Sequence, residues 1–242
     1  MASVRFPPAA KYIIFRKNRR QQVDRATLSN RITSILSDIT RLNSALYALN
    51  TTDIQRYPEN YEVLSTDAAL RAERIACRLR HLIYAATTIK KEEYLTSAAV
   101  MQGVEIQSKD GIIEIKLPCL LPKRKQRQST EFLLEPFTAA LSQFAKSHPM
   151  PRLRHCVVCF SHVYQKDLSL QRVRDYDNLE LKQFLDVAAS FILVDDCGLL
   201  CDAYNTTELG TEDCTRIFIM DSALFPDWLD ARQAALQSIT DL

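Results

Sequence analysis

The sequence predicts an α+β fold, in which a helical N-terminal extension precedes a mixed β-sheet with packed helices. Apolar residues recur every three or four positions through most of residues 23–101, which is the period of an amphipathic helix. After Gly103 the period changes to alternation, which is typical of strands. We therefore expect a domain boundary near residue 103, between a helical extension (1–103) and a sheet domain (104–242).

The first predicted helix covers residues 23–49. Its apolar residues form a narrow stripe with nearly heptad spacing: Leu28, Ile32, Ile35, Ile39, Leu42, Leu46 and Leu49. Such a stripe fits a coiled-coil seam with another chain and fits a helical hairpin within this chain equally well. We expect a second helix from the capping residues 65–67 to about residue 101, with Gly103 ending it in the left-handed conformation.

The sheet domain is predicted to begin with two strands, 104–107 and 112–117, joined by an Asp-Gly turn. Further elements follow from the same periodicities. They are helices at 130–147, 178–192 and 226–239, and strands at 152–164 and 215–220. Phe225 and Trp228 are expected to pack the last helix onto the sheet.

Composition excludes several functions. The chain has 4 glycines among 242 residues, and none are clustered. Phosphate loops and dinucleotide fingerprints need clustered glycines, so we expect no nucleotide triphosphate as partner. No apolar run approaches the ~20 residues of a membrane helix, and the N-terminus does not resemble a secretory signal. The 7 cysteines are an odd count and favour reduced thiols in the cytoplasm.

Charge is unevenly distributed along the chain. Residues 175–242 contain fourteen Asp and Glu against three Lys and Arg, although the whole chain carries a formal charge of only +2. Basic residues form two clusters: Arg16, Lys17, Arg19 and Arg20, then Lys123, Arg124, Lys125 and Arg127. This pattern is compatible with a nucleic-acid surface beside a metal centre, and a solvated surface with an acidic tail explains it as well.

The strongest constellation of candidate site residues is acidic. Asp175 and Asp177 lie between a predicted strand and a predicted helix, and Asp195 and Asp196 follow that helix. In an extended segment, side chains two positions apart point the same way, and converging carboxylates favour Mg²⁺ or Mn²⁺ between them. The alternative is that these residues are a helix cap and a turn.

Two arginines flank the first acidic pair. Arg172 and Arg174 could hold phosphate oxygens, or they could neutralise the neighbouring carboxylates.

The motif formed by residues 174–179, Phe184 and residues 194–196 resembles the signature of the RusA family of Holliday-junction resolvases. The Asp177–Asp196 spacing fits that family without a gap. The strand at 112–117, with Pro118 and the basic loop at 122–128, resembles the family's first strand and the segment after it. The resemblance covers about residues 111–220. The whole chain also resembles an uncharacterised protein group on mobile elements and prophages of Gram-positive bacteria.

The RusA resemblance implies a homodimeric, Mg²⁺-dependent endonuclease that cuts branched DNA and leaves a 5′ phosphate. By that resemblance Asp175, Asp177 and Asp196 would bind the metal, with Asp195 beside them. The candidate DNA-binding residues, chosen for their charge and position, are Lys123, Arg124, Lys125, Arg127, Arg172 and Arg174.

One position departs from the family pattern. The family has a lysine four residues after its second motif aspartate, where this chain has Leu181, and the neighbouring residue is Lys182. In a regular helix Lys182 would not overlie Asp177. Either a local bulge redirects Lys182, or another cation replaces it, or activity is reduced. The simplest alternative role for Lys182 is an i,i+4 surface pair with Asp186.

A zinc site built from Cys156, Cys159, His155 and His162 is not expected. These residues lie in a predicted strand, where their spacing places them on opposite faces. Buried thiols are the better interpretation. Two rivals to the nuclease remain: a catalytically inactive RusA-like scaffold for binding or assembly, and a general DNA-binding module with steep salt dependence.

Overall fold

A computed structural model of the chain describes residues 24–124, 130–148, 152–169 and 172–240. It confirms the α+β class. The chain divides between residues 94 and 95 into a helical unit and a sheet unit. The elements are α1 (Arg25–Thr51), α2 (Pro58–Ala86), α3 (Lys91–Gln102), β1 (Glu105–Lys109), β2 (Ile112–Leu117), α4 (Thr130–Ser147), β3 (Cys156–Gln165), α5 (Lys182–Ile192), β4 (Cys201–Gly210), β5 (Cys214–Asp221) and α6 (Phe225–Thr240).

In the helical unit, α1 and α2 pair as an antiparallel hairpin. The carboxylate of Asp24 caps α1 by accepting from the Thr27 N–H at 3.3 Å. Between the helices, Arg78 of α2 donates to the buried Asp38 of α1, and Arg74 approaches the same oxygen at 3.8 Å. The hydrogen bond from Arg78 holds the pKa of Asp38 below its usual value. A charged link therefore supplements the small apolar interface of this hairpin.

The predicted helix from 65 to 101 is wrong, because the segment forms two helices. α2 begins at Pro58, whose missing N–H costs nothing in the first turn, and residues 65–67 lie inside it rather than capping it. Thr87 ends α2 with an extended backbone (φ −127°, ψ 172°). No glycine or proline marks this break. Gly103 follows α3 with φ +83°, as predicted.

The sheet has five strands in the order β1-β2-β5-β3-β4 over the described residues. All neighbours are antiparallel except β3 and β4, which are parallel. Asp110 and Gly111 both have positive φ between the paired Lys109 and Ile112. The predicted Asp-Gly hairpin is therefore confirmed, since its two-residue turn requires that conformation.

Two predictions about the region after β3 are wrong. The first is that the sequence analysis predicts no strand at β4. This edge strand pairs with β3 alone, and its sequence CDAYNTTELG lacks the alternation of apolar and polar residues that indicates a strand. The helix predicted at 178–192 starts only at Lys182, because Leu179 is extended (φ −94°, ψ 145°) and pairs with Lys123.

The sheet unit buries one continuous core. Phe137 of α4 and Phe184 of α5 pack against each other at 5.5 Å between ring centroids, over the fully buried Phe160 and Ile217 of the sheet. On α6, Trp228 contacts Phe218 of β5 at 5.1 Å. Together with the contact of Phe225 and Tyr204 at 5.3 Å, this confirms that the last helix packs onto the sheet.

None of the helices in the described residues is long and apolar enough to cross a membrane.

Candidate functional site

Asp175 and Asp177 lie in a short turn that follows β3. Asp175 has an extended backbone, and Tyr176–Asn178 form a single 3₁₀ turn. Both carboxylates are exposed, and that of Asp175 makes no capping hydrogen bond. The turn is not extended, so the alternation that predicted convergence of the two side chains does not apply. Neither residue caps α5, whose N-cap position is Leu181.

The basic loop lies directly beside this acidic turn. The Arg124 N–H donates to the Asn178 carbonyl at 2.8 Å, and the Glu180 N–H donates to the Pro122 carbonyl at 2.9 Å. Lys123 pairs with Leu179 in an antiparallel bridge between these two bonds. Lys123 and Arg124 are exposed. The backbone therefore holds residues 122–124 of the basic loop against residues 178–180, which complete and follow the acidic turn. The other predicted basic residues, 16–20, Lys125 and Arg127, lie outside the described residues.

Aromatic residues of the turn and of β3 hold the acidic turn on the sheet. The Tyr176 ring packs on His162 at 5.6 Å, and its hydroxyl shares a hydrogen bond with Thr207 of β4 at 3.0 Å. The Arg174 N–H donates to the Tyr164 hydroxyl at 3.1 Å. Burial lowers the pKa of His162, and the Asn205 side chain opposes this shift. His162 is therefore neutral at pH 7 and serves as an aromatic support.

The two predicted arginines make different contacts. Arg172 forms two hydrogen bonds of 2.6 Å with the Asp213 carboxylate, and its guanidinium lies 5.6 Å from the Tyr164 ring centroid. The bonds from Arg172 hold the pKa of Asp213 below its usual value. Arg174 donates to the Leu121 carbonyl at 3.3 Å. Arg172 thus neutralises Asp213 and does not neutralise Asp175 or Asp177. The sequence analysis had not singled out Asp213.

Asp195 and Asp196 follow α5. The Asp195 carboxylate accepts from the Cys197 N–H at 3.0 Å, which is the turn interaction weighed as the alternative to a metal ligand. Asp196 is half-buried, and its charge raises the pKa of Lys182 and of Cys201 as a secondary cause. Asp196 therefore lies within electrostatic range of the start of α5.

Lys182 forms the predicted i,i+4 pair with Asp186, with 3.0 Å between Nζ and Oδ1. The hydrogen bond that Lys182 donates to Asp186 is the main reason that the pKa of Lys182 is raised. Because α5 begins at Lys182, residues 178–181 do not follow a regular helix, and the angular comparison of Lys182 with Asp177 does not hold here.

The acids do not form a complete metal centre. Among the described residues, no group of three or more His, Cys, Asp or Glu side chains is placed to hold a metal ion. The acidic turn offers exposed carboxylate oxygens, which suit Mg²⁺, but Asp195 and Asp196 do not join it as a ligand set. None of the cysteines in the described part of the chain forms a disulfide. Burial raises the pKa of Cys156 and of Cys159 to about 12, which makes them inert thiols.

These features define an α+β protein whose sheet carries an acidic turn beside a basic loop. The chain belongs to a family of unknown function, DUF6100, whose model matches residues 24–242.

No curated protein matches the chain. Among solved structures, the periplasmic domain of Helicobacter pylori MotB (residues 90–256) is similar to part of it, at 11% identity. That match covers 54% of this chain and 86% of the other, with a TM-score of 0.32, which is too low to support an argument about fold or function.

Proposed function

We propose that the sheet unit is a Mg²⁺-dependent endonuclease-like domain that acts on branched DNA in the cytoplasm, as a homodimer, with Mn²⁺ able to replace Mg²⁺. The observation that carries the proposal is the placement of the exposed Asp175 and Asp177 beside Lys123 and Arg124. Mg²⁺ commonly takes one or two protein carboxylates and completes its shell with water and substrate phosphate. An acidic turn with two carboxylates is compatible with such a site.

The residues of this site would have three roles: metal binding, phosphate binding and support of the turn. Asp175 and Asp177 would hold the metal, which would supply an activated water and stabilise the leaving oxygen. Lys123 and Arg124 would bind phosphate oxygens of the substrate. Tyr176 and the Tyr164 hydroxyl would keep the turn in place. Asp196 is assigned to the metal by the family resemblance alone.

Cleavage of synthetic four-way, flap and linear DNA with Mg²⁺ or Mn²⁺ tests the proposal. We expect Asp177→Asn to abolish junction cleavage while junction binding persists. Asp230→Asn is the matched control, because Asp230 is an exposed carboxylate on α6 outside the acidic turn. A purified protein that neither binds nor cuts a four-way junction overturns the proposal.

The second candidate function is a catalytically inactive scaffold that binds DNA or protein. It is favoured by the lack of a three-residue ligand group in the described residues and by the pairing of Lys182 with Asp186. Thermal melting during a Mg²⁺ or Mn²⁺ titration distinguishes the two functions. A metal-driven rise in melting temperature that Asp175→Asn removes counts against the scaffold, whereas junction binding without such a rise and without cleavage supports it.

A further inference from the structure

α1 has two apolar stripes, and only one of them is covered. The inner stripe packs in the hairpin and includes the buried Ile35 and Ala45. The outer stripe stays exposed and includes four aliphatic side chains, whose exposed fractions are 45% for Ile32, 56% for Leu36, 42% for Ile39 and 50% for Leu46. Solvent exposure of so many large apolar side chains along one helix marks an interaction surface.

The outer stripe has the spacing of a coiled-coil seam. Ile32, Leu36, Ile39, Asn43 and Leu46 follow one another at alternating steps of four and three. The seam contains no charged residue. Two copies of the same seam therefore meet without charge repulsion, and depletion of charge is typical of interface cores.

Asn43 indicates that a second copy of the chain binds the outer stripe. An amide both donates and accepts hydrogen bonds, so an asparagine within an apolar seam is best satisfied by a second asparagine. In a parallel, in-register pair of α1 helices, Asn43 meets Asn43 of the second copy. In an antiparallel pair centred on Ile39, Asn43 instead faces Leu36 and leaves its amide without a polar partner.

The area is sufficient for a dimer. Together with Tyr47 at the edge, which is 67% exposed, the outer stripe presents on the order of 500 Å² of apolar surface per copy. Complete burial of both copies would cover on the order of 1,000 Å², which is the threshold for a specific interface and typical of a weak, concentration-dependent dimer. Each copy contributes a hairpin, so the assembly is a four-helix arrangement.

We propose that the outer stripe of α1 binds a second copy of this chain through a parallel, in-register seam centred on Ile39 and Asn43. The inference holds whether or not the sheet unit is a nuclease.

Light scattering of the full chain after size-exclusion chromatography, over a dilution series, tests the seam. We expect a dimer for the wild-type protein and at least about a tenfold weaker association for Ile39→Glu, because the seam would bury a carboxylate. Leu199→Glu is the matched control, since Leu199 is an exposed apolar residue of the sheet unit (89% exposed), and it should stay dimeric. Far-UV circular dichroism should show unchanged helicity for Ile39→Glu.

Two results overturn the proposal. The first is a wild-type chain that stays monomeric at every concentration, because the outer stripe then does not bind a second copy. The second is an Ile39→Glu variant that associates as tightly as the wild type.

Oxidative cross-linking tests the register. With diamide as the oxidant of the two thiols, Asn43→Cys should give a covalent dimer well above the wild-type background of exposed native cysteines. Thr40→Cys, at an exposed position outside the seam, is the control. Equal cross-linking of both variants, or none for Asn43→Cys, contradicts the in-register seam.

Discussion

The sheet unit and the helical unit differ in what they bury. In the sheet unit, Phe137, Leu141, Phe184 and Ile217 are completely buried within one continuous core. In the described part of the helical unit, the buried residues are few and include small or charged side chains: Ile35, Asp38, Ala45, Ala68, Ile75 and Arg80. The sheet unit therefore derives its stability from its own core, whereas the helical unit depends on a charged link and leaves apolar surface for a partner.

The same difference applies to ion pairs. In the hairpin, Asp38 lies buried between α1 and α2 and is held by Arg78. In the sheet unit, Lys182 and Asp186 form an exposed pair on α5. A buried carboxylate that loses its partner is costly, while an exposed pair contributes little. Substitutions in the two units should therefore have graded effects.

Removal of a core aromatic ring should have the largest effect. Phe184→Ala deletes a fully buried side chain packed on Phe137, and we expect a loss of about 3–5 kcal/mol in the free energy of unfolding. Urea denaturation followed by fluorescence of Trp228 measures it. Leu199→Ala is the control, because Leu199 is an exposed apolar residue outside the core, and its truncation should cost little. A loss below about 1.5 kcal/mol for Phe184→Ala would contradict the self-contained core of the sheet unit.

Breaking the Arg172–Asp213 pair should have a medium effect. Both side chains are about one-third exposed or less, and two 2.6 Å hydrogen bonds join them. We expect about 1–2 kcal/mol for either Arg172→Ala or Asp213→Asn, discounted for solvent exposure. The double variant should lose less than the sum of the single losses. Additive losses, measured by denaturation, would contradict the pairing of Arg172 with Asp213.

The elements that were predictable from the sequence are those with a strong local signal. The alternation of β2, the Asp-Gly turn and Gly103 each constrain the backbone locally, and all three hold in the structure. The edge strand β4 was not predictable from its sequence. It pairs with one strand only, so it can be largely polar, and it lacks the apolar alternation that identifies a strand. The extended Leu179 depends on its bridge with Lys123, a tertiary contact that leaves no mark in nearby residues. The break after Ala86 carries no glycine or proline to signal it.

The candidate site divides in the same way. The Lys182–Asp186 pair follows from spacing along the chain. The expected convergence of the four aspartates does not appear among the described residues. The contact of Arg172 with Asp213 joins residues 41 positions apart and depends on the fold of β3, β4 and β5. The support of Tyr176 by His162 has one signal in the sequence: Tyr176 is an aromatic residue between two aspartates, after the buried strand that contains His162.

Acid should weaken the helical hairpin through Asp38. The folded-state pKa of Asp38 is lowered by Arg78, so the carboxylate contributes stability above its unfolded pKa of about 3.9 and loses it as pH falls through the folded value. We expect the difference in melting temperature between the wild type and Asp38→Asn to shrink below about pH 4. Circular dichroism melts from pH 7 to pH 2 measure this difference. A constant difference across that range would contradict the charged link.

Substitution of Lys182 should have the smallest effect on stability. It also tests whether Lys182 acts in catalysis or only in the ion pair with Asp186. Its pair with Asp186 is exposed, with 73% and 46% of the two side chains accessible, so Lys182→Ala should leave the melting temperature unchanged. If the pair is the whole role of Lys182, any DNA cleavage should also be unchanged, and Asp186→Asn should match it. Loss of Mg²⁺-dependent junction cleavage in Lys182→Ala, with full cleavage in Asp186→Asn and with both variants fully folded, would instead assign Lys182 to catalysis. In that case Lys182 would leave Asp186 and contact the substrate. Breaking an exposed ion pair costs little free energy, so Lys182 is free to do this. Breaking the buried pair of Asp38 and Arg78 in the hairpin would cost much more.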